Sequence, residues 1–264
     1  DVDITLEAME VGPTCHYVMG GVEVEPDTGA AARVPGLFAA GEAAGGMHGS
    51  NRLGGNSLSD LLVFGRRAGL GAALYAKAIA SDTGVGVATL SDAAIEAAAV
   101  AALEPFERQG GENAFTIQKD LQQVMNDLVG IIRTESELQD ALVRLAELRE
   151  RVSRVTVVGA REYNPGWHLA MDLQNMIVVS ECIAGAALMR QESRGGHTRD
   201  DYPGMSSEWR QSNLICQLAD GLVEVVRQDL PSMPDDLLSL FDVSELKKYL
   251  TADELSHLPE GAQR

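Results

Sequence analysis

The residues best suited to chemistry lie in a glycine-rich region of the amino-terminal third of the chain. Arg52 stands among five glycines, Gly45, Gly46, Gly49, Gly54 and Gly55. Glycine lets the backbone approach a flat or bulky ligand because it has no Cβ. A guanidinium offers a rigid fork of donors that fits a carboxylate in two parallel hydrogen bonds. Residue type alone does not separate such a site from a surface arginine in a loop, so the neighbouring residues decide.

An apolar run begins immediately after Ser57 and predicts a buried helix; its members are Leu58, Leu61, Leu62 and Phe64. The helix should begin near Asn56 and Ser57, where its first N–H groups have no partner within the helix. The positive end of the helix dipole and the Arg52 guanidinium then converge on one gap. Such a gap suits an anion.

Two more polar residues lie in similar surroundings. His16 precedes Gly20 and Gly21, and Glu42 ends the short apolar run VPGLFAAGE, residues 34–42. In an open α/β sheet, ligands bind outside the carboxyl ends of strands, where an acidic group accepts hydrogen bonds from ribose-like hydroxyls. A lone histidine is often a core residue. Together with Arg52 and the glycines, a ligand-binding role for His16 is favoured, whereas His48 either stacks near the site or shapes its loop.

Composition limits the classes of partner. The 264 residues carry a net charge of −18, which disfavours nucleic acid and anionic lipid surfaces. Three separated cysteines without metal-ligand spacing argue against a disulfide framework or an iron–sulfur cluster and favour a reducing compartment. Cys15 is interpreted as a buried thiol. No apolar run approaches the roughly 20 residues that span a bilayer, and neither a signal peptide nor an initiator methionine opens the chain.

Periodicity indicates the elements that must position these residues. The turn Pro26-Asp27-Thr28-Gly29 predicts a hairpin after extended segments in residues 1–24. Helices are expected over 57–80 and 91–109. Two more, within 115–155, are joined by a turn at Thr134 with capping chemistry, and a further one covers 166–190, so the last three should form a small bundle.

Two features of the last third have competing interpretations or weak signals. The segment RQESRGGHTR, residues 190–199, concentrates basic residues that either neutralise a ligand, dock the bundle, or cap a helix end; none is interpreted as catalytic. Asp220-Gly221 predicts a hairpin between two strand-like runs. The acidic tail beyond it shows only short amphipathic helical turns.

The motifs HYVMGG, VPGLFAAGE and HGSNRLGGNSLSDLLVFGRRAG resemble the carboxyl-terminal half of the flavoprotein subunit of succinate dehydrogenases and fumarate reductases. The segment RQESRGGHTRDDYP, residues 190–203, resembles a further signature of that family, so the similarity runs from about residue 10 to residue 210. The tail departs from the basic, strand-rich end expected of the family.

This resemblance implies an α/β plus all-α fold. Residues 1–110 would be the carboxyl-terminal part of an FAD-binding, Rossmann-like domain, with the end of a capping domain in about 1–20. Residues 111–210 would form a three-helix bundle, and 211–264 a hairpin and acidic tail. The pyrophosphate-binding glycines and the proton-shuttling arginine of the family are expected upstream, so this fragment should contain no catalytic residue and be inactive alone.

The resemblance also implies roles for particular residues. His16 and Arg52 would bind the two carboxylates of succinate or fumarate, Glu42 would accept hydrogen bonds from FAD hydroxyls, and the Ser57 and Leu58 N–H groups would face the flavin ring. Expected partners are membrane-anchor subunits together with an iron–sulfur subunit, in a peripheral complex on the cytoplasmic face of the inner or plasma membrane. L-Aspartate oxidase and a non-catalytic helical docking module remain alternatives.

Overall fold

The computed structural model describes residues 3–10, 12, 16–82, 91–256 and 258, so the interpretation of Cys15 lies outside the described residues. The chain divides into two compact units, residues 1–101 and 102–264. Its described helices are α1 Asn56–Asp82, α2 Asp92–Glu107, α3 Ala114–Leu128, α4 Glu135–Val152, α5 Pro165–Met189, α6 Ser207–Arg210, α7 Asp235–Leu238, α8 Val243–Leu246 and α9 Ala252–Ser256. Its described strands are β1 Glu112–Asn113, β2 Ile132–Arg133, β3 Val155–Thr156, β4 Thr198–Arg199, β5 Ser212–Ala219 and β6 Leu222–Asp229.

The predicted extended segment at the start of the first unit is partly wrong. Residues 4–7 form a turn, because the Asp3 carboxylate accepts hydrogen bonds from the Thr5 N–H and hydroxyl and the Asp3 carbonyl accepts from two further N–H groups. Short polar side chains that bond nearby backbone compete with strand formation in this way. The hairpin turn at Pro26–Gly29 is present, and it is closed by an antiparallel bridge between Val24 and Ala31.

Helix α1 has the predicted extent, but its apolar run is not buried. Leu58 is 67% exposed and Leu62 77% exposed, and Leu61 is also exposed. Among the described side chains of α1, Asp60 and Ala68 are buried. Ala68 is buried because the hairpin turn at Gly29 packs against it. Within the described residues, no element covers the face of α1 that carries Leu58, Leu61 and Leu62. The apolar pattern that predicted burial therefore lies on an exposed surface of the helix.

Helices α3, α4 and α5 pack around one apolar core in the second unit. Side chains at helical spacing supply that core, and its fully buried members include Ile117, Leu138, Leu145, Leu173 and Ile177. Each helix starts at a side-chain cap, namely Asn113, Thr134 and Asn164. Thr134 and Glu137 form a reciprocal capping box, as the sequence predicted. The core therefore forms because amphipathic helices begin at defined residues and bury one face each.

Short strand pairs join segments that are distant in sequence. β1 pairs with β3 and β2 pairs with β4, both parallel and two residues long. β5 and β6 form the antiparallel hairpin, with Ala219 opposite Leu222. Asp220 and Gly221 both have positive φ, 51° and 81°, as a two-residue turn of this kind requires. In the tail, Leu246 and Leu258 are buried in a small separate cluster.

The basic segment 190–199 forms an internal ion-pair network. Glu192 is fully buried and bonds to both Arg190, at 2.7 Å, and Arg194, at 2.9 Å. Arg199 is also buried; it bonds to Asp201 at 2.7 Å and donates to the carbonyl oxygens of Ala187 and Leu188 near the end of α5. These arginines therefore hold the carboxyl end of α5 to the segment that follows it, which is the structural alternative among the interpretations of this segment.

His197 lies in the same network, and its environment predicts a pH effect. Its Nδ1 lies 3.0 Å from Arg133 Nη1 and its Nε2 lies 3.1 Å from the Arg190 carbonyl oxygen. An arginine only donates, so Nδ1 accepts and Nε2 carries the proton. Burial lowers the pKa of His197, and the charges of Arg133, Arg190 and Arg199 lower it further.

The folded state therefore binds fewer protons than the unfolded state once the pH drops below the ordinary histidine pKa of about 6.5. We expect the free energy of unfolding to fall between pH 7 and pH 5, and His197→Gln to make that fall shallower. Urea unfolding at several pH values measures it. His168→Gln, which removes an exposed imidazole from α5, is the control, and equal pH slopes for wild type and His197→Gln would contradict the prediction.

Among the described helices, none combines the length and the apolar character needed to cross a membrane.

Candidate functional site

Two glycines bring the predicted site segments together within the first unit. Val22 and Ala44 form a parallel bridge, and beside it Gly21 and Gly45 each lie against main-chain atoms of the other segment. A Cβ on Gly21 would lie 2.6 Å from the Ala43 carbonyl oxygen, and one on Gly45 would lie 2.8 Å from Gly21 N. No side chain fits at such distances. Glycine at both positions thus lets the segment of His16 run beside the loop of Arg52.

The end of the Arg52 side chain meets His16 and Tyr17. Arg52 Nη2 lies 3.0 Å from His16 Nε2, and the guanidinium carbon lies 4.4 Å from the centre of the Tyr17 ring. Because the guanidinium is always a donor, His16 Nε2 accepts and the imidazole proton is on Nδ1. Stacking on the ring fixes the plane of the guanidinium while leaving its edge for hydrogen bonds. The sequence predicted His16 and Arg52 as site residues, and they are in contact.

Two buried polar atoms beside this contact have no hydrogen-bond partner among the described residues. They are Arg52 Nε and the Tyr17 hydroxyl. An unsatisfied buried donor is costly, so both atoms point to an acceptor that the described chain does not provide. Burial raises the pKa of Tyr17, and the negative charges of Asp60 and Glu42 add to this effect. Tyr17 therefore stays protonated at neutral pH and keeps its donor.

His48 connects the site loop to α1. Its Nε2 lies 3.2 Å from Asp60 Oδ2, and the two side chains are only 5% and 4% exposed. Its ring also meets the Tyr17 ring edge to face, with 5.9 Å between centres. His48 thus both stacks beside the site and holds its loop. Sequence analysis missed Tyr17 and Asp60, although a carboxylate within the apolar run SLSDLL is a signal that a buried partner is near.

Glu42 supports the His16 segment directly. It lies in a 3-10 turn, Gly41–Ala43, and its Oε1 accepts a hydrogen bond of 2.9 Å from the Val18 N–H. One carboxylate oxygen of Glu42 therefore positions the segment that carries His16 and Tyr17. The Glu42 side chain is exposed, so its other oxygen can accept a hydrogen bond from a ligand hydroxyl.

Ser57 and Leu58 lie in the first turn of α1, with different hydrogen bonding. The Leu58 N–H donates to the Gly55 carbonyl oxygen at 3.2 Å, whereas no described residue accepts from the Ser57 N–H. The glycines before the helix, Gly46, Gly49, Gly54 and Gly55, border open space, since a Cβ on any of them would meet no heavy atom within 4 Å. These glycines therefore leave one side of the loop backbone uncovered, close to the Ser57 N–H at the start of α1.

Comparison with known proteins places the chain in a family. The family model for the FAD binding domain matches residues 2–58, and the model for the fumarate reductase flavoprotein C-terminus matches residues 118–233. The fumarate reductase flavoprotein subunit of Escherichia coli is 39% identical over 206 residues, which are 76% of this chain and 33% of that protein. The succinate dehydrogenase flavoprotein subunit of Coxiella burnetii is 36% identical over 213 residues, 76% of this chain and 35% of that protein.

A solved structure covers nearly the whole chain. The Mycobacterium smegmatis Sdh1 structure in complex with UQ1 matches with a TM-score of 0.84 and 59% identity, over 98% of this chain and 43% of that one. An FAD-binding segment followed by a helical carboxyl-terminal region defines part of an FAD-dependent flavoprotein oxidoreductase. The chain belongs to the family of succinate dehydrogenase and fumarate reductase flavoprotein subunits, as its motifs predicted. It spans less than half the length of these relatives.

Proposed function

We propose that this chain provides the dicarboxylate-binding groups, and part of the FAD-binding surface, of a succinate dehydrogenase flavoprotein subunit. Such a subunit oxidises succinate to fumarate and passes electrons through an iron–sulfur subunit to quinone. The single observation that carries the proposal is the convergence of Arg52 and His16, at 3.0 Å, on a spot where Arg52 Nε and the Tyr17 hydroxyl have no described partner. Fumarate reduction at the same site is the alternative direction.

We propose that His16 and Arg52 address the same carboxylate. Their nitrogens are 3.0 Å apart, too close for a four-carbon diacid to lie between them, so a grip on opposite ends would require one side chain to move away. A single carboxylate can accept two hydrogen bonds from the guanidinium fork. It can accept a third from His16 once the proton is on Nε2. Carboxylate binding would thus replace the arginine–histidine contact and shift the imidazole proton.

The proposed FAD contacts use three residues of the first unit. Glu42 would accept from a ribityl or adjacent hydroxyl, and the Ser57 N–H would donate to the flavin ring near N1 and C2=O. Leu58 would join Ser57 only if its N–H released the Gly55 carbonyl, to which it donates at 3.2 Å. When bound, FAD supplies the acceptor for a hydride. The positive end of α1 would stabilise the negative charge that reduction places on the ring.

The remaining parts of the reaction are proposed to lie outside this chain. His16 and Arg52 bind and orient a carboxylate but are assigned no proton transfer, and without a proton donor the reaction is not complete. We therefore expect the isolated chain to be inactive. The same proposal includes iron–sulfur and membrane-anchor partners and a peripheral position on a membrane. It also includes the division of the chain into domains at residues 110 and 210.

Replacing Glu42 with alanine should weaken FAD retention. The change removes the hydroxyl acceptor and also the bond to Val18 N, so the affinity should fall by about tenfold, the value of one hydrogen bond to a charged group. Flavin absorbance of the full-length polypeptide after dialysis measures it. Glu25→Ala, which removes the carboxylate of the hairpin turn, is the matched control; full flavin occupancy in Glu42→Ala would remove Glu42 from the site.

One experiment separates the proposed function from its alternatives. A polypeptide that contains this chain and spans the full length of its relatives is reconstituted with FAD, and flavin absorbance is followed on addition of succinate or L-aspartate. Bleaching by succinate together with reduction of an electron-accepting dye supports the proposal. Bleaching by aspartate alone indicates an L-aspartate oxidase. A polypeptide that never retains flavin indicates a non-catalytic docking module.

A further inference from the structure

Helix α5 and the β5–β6 hairpin pack closely at one turn of the helix. Cys182 and Gly185 lie one turn apart on α5, and Cys216 and Val225 are opposite each other across the hairpin. A Cβ on Gly185 would lie 3.1 Å from Val225 Cγ2, so the helix and the hairpin touch where glycine leaves room. Opposed residues of an antiparallel pair project to the same face. Because Val225 contacts the helix, Cys216 also faces α5.

Cys182 and Cys216 meet at this contact. The Cys216 thiol donates to the Cys182 carbonyl oxygen at 3.7 Å, so it lies against the α5 backbone at Cys182. Both cysteines are free and only partly buried. The 34-residue separation in sequence hid this pairing, because spacing alone indicated isolated thiols. The Cys216 thiol of the hairpin therefore lies beside Cys182 of the helix that packs against it.

We propose that Cys182 and Cys216 form a peroxide-sensitive dithiol site, which closes to an intrachain disulfide between α5 and the hairpin. The Cys216 thiolate attacks one oxygen of hydrogen peroxide; the O–O bond breaks and hydroxide leaves, so Cys216 becomes a sulfenic acid. Cys182 then gives up its proton and attacks that sulfur as the thiolate. The S–S bond forms, the S–O bond breaks, and the hydroxyl leaves as water with the Cys182 proton. The pair loses two electrons and the peroxide gains them.

The surroundings assign the order of the two steps. The neighbouring Cys182 side chain lowers the pKa of Cys216, so Cys216 loses its proton more readily than an ordinary thiol. The neighbouring Cys216, burial and the charge of Glu181 raise the pKa of Cys182. Since the thiolate is the attacking species, Cys216 reacts first and Cys182 resolves the sulfenic acid.

The test uses the whole chain carrying Cys15→Ser, so that two thiols remain of the three in the sequence. After one equivalent of hydrogen peroxide, both thiols should resist alkylation, and peptide mapping should find Cys182 linked to Cys216. With Cys182→Ser added, dimedone should trap a sulfenic acid at Cys216. With Cys216→Ser added, thiol loss should slow by at least about tenfold, because burial and the charge of Glu181 still raise the pKa of Cys182 and a thiol with a raised pKa is a poor nucleophile.

Two controls keep the result decisive. Repeating the oxidation in concentrated guanidinium chloride should slow cross-linking, since the folded contact is lost. Circular dichroism of each reduced variant shows whether it folds, and if the serine variants do not, the peptide map of the Cys15→Ser chain decides alone. Absence of the Cys182–Cys216 peptide would overturn the proposal. So would a sulfinic acid at Cys216 beside a free Cys182, or equal rates in the folded and denatured chains.

Discussion

Replacing Arg52 with lysine should weaken succinate binding by about tenfold to a hundredfold while FAD remains bound. Lysine keeps the charge but loses the planar fork, and the loss of charge-assisted hydrogen bonds of this kind costs about 1.5–3 kcal/mol. A lysine ammonium would also lose the stacked fit on Tyr17, which the guanidinium makes at 4.4 Å. The measurement is the dissociation constant of succinate, from the change in flavin absorbance of the reconstituted full-length polypeptide.

The matched control is Arg66→Lys, an exposed position on α1. It makes the same chemical change outside the site and should leave the dissociation constant within about twofold. Unchanged succinate affinity in Arg52→Lys, with normal flavin content, would refute the assignment of Arg52 as the carboxylate-binding group. Loss of flavin in Arg52→Lys would show instead that this side chain supports the FAD-binding loop.

The largest effect on stability is expected from Glu192→Gln in the second unit. Burial opposes ionisation of Glu192, but the bonds from Arg194, the Ser206 N–H and Arg190 outweigh it and lower its pKa. The glutamine removes the charge shared by these two arginines while keeping the shape of the side chain. Removing one partner of a buried ion pair costs about 3 kcal/mol or more, and urea unfolding of the chain measures this difference.

Glu208→Gln supplies the comparison for that prediction. Glu208 pairs with Arg227 at 2.7 Å, but its side chain is 73% exposed, and exposed ion pairs contribute about 1 kcal/mol or less. Each variant removes one negative charge, so a larger loss in the free energy of unfolding for Glu192→Gln measures the effect of burial rather than of charge. If Glu192→Gln and Glu208→Gln destabilised the chain equally, the network around 190–199 would not hold the end of α5 as described.

Local signals predicted a large part of the fold. The capping box at Thr134 fixed the start of α4, and Asp220-Gly221 fixed the turn of the hairpin, because each depends on a few neighbouring residues. The pairing of Ile132 with Thr198 was not predictable, since two-residue parallel strands have no periodicity of their own. The exposure of Leu58 was missed because the hydrophobic pattern shows which face is apolar but not what covers it.

The sequence predicted the polar residues His16 and Arg52 of the candidate site, but not the residues that hold them in place. His16 and Arg52 stand out because their types and glycine surroundings suggest a ligand, and they are in contact. Tyr17 and Asp60 support them through a ring face and a buried bond to His48. Neither role has a spacing rule, since each depends on tertiary contacts between segments that lie far apart in sequence.

The close approach of the main chains at Gly21 and Gly45 limits which residues can replace either glycine. Any larger residue at either position must push two backbone segments apart, because the space for even one carbon atom is already filled by main-chain atoms. A shift of about 1 Å in a binding group is enough to impair catalysis. These two positions bear no functional group, yet we expect an alanine at either of them to move the segment of His16 away from the loop of Arg52.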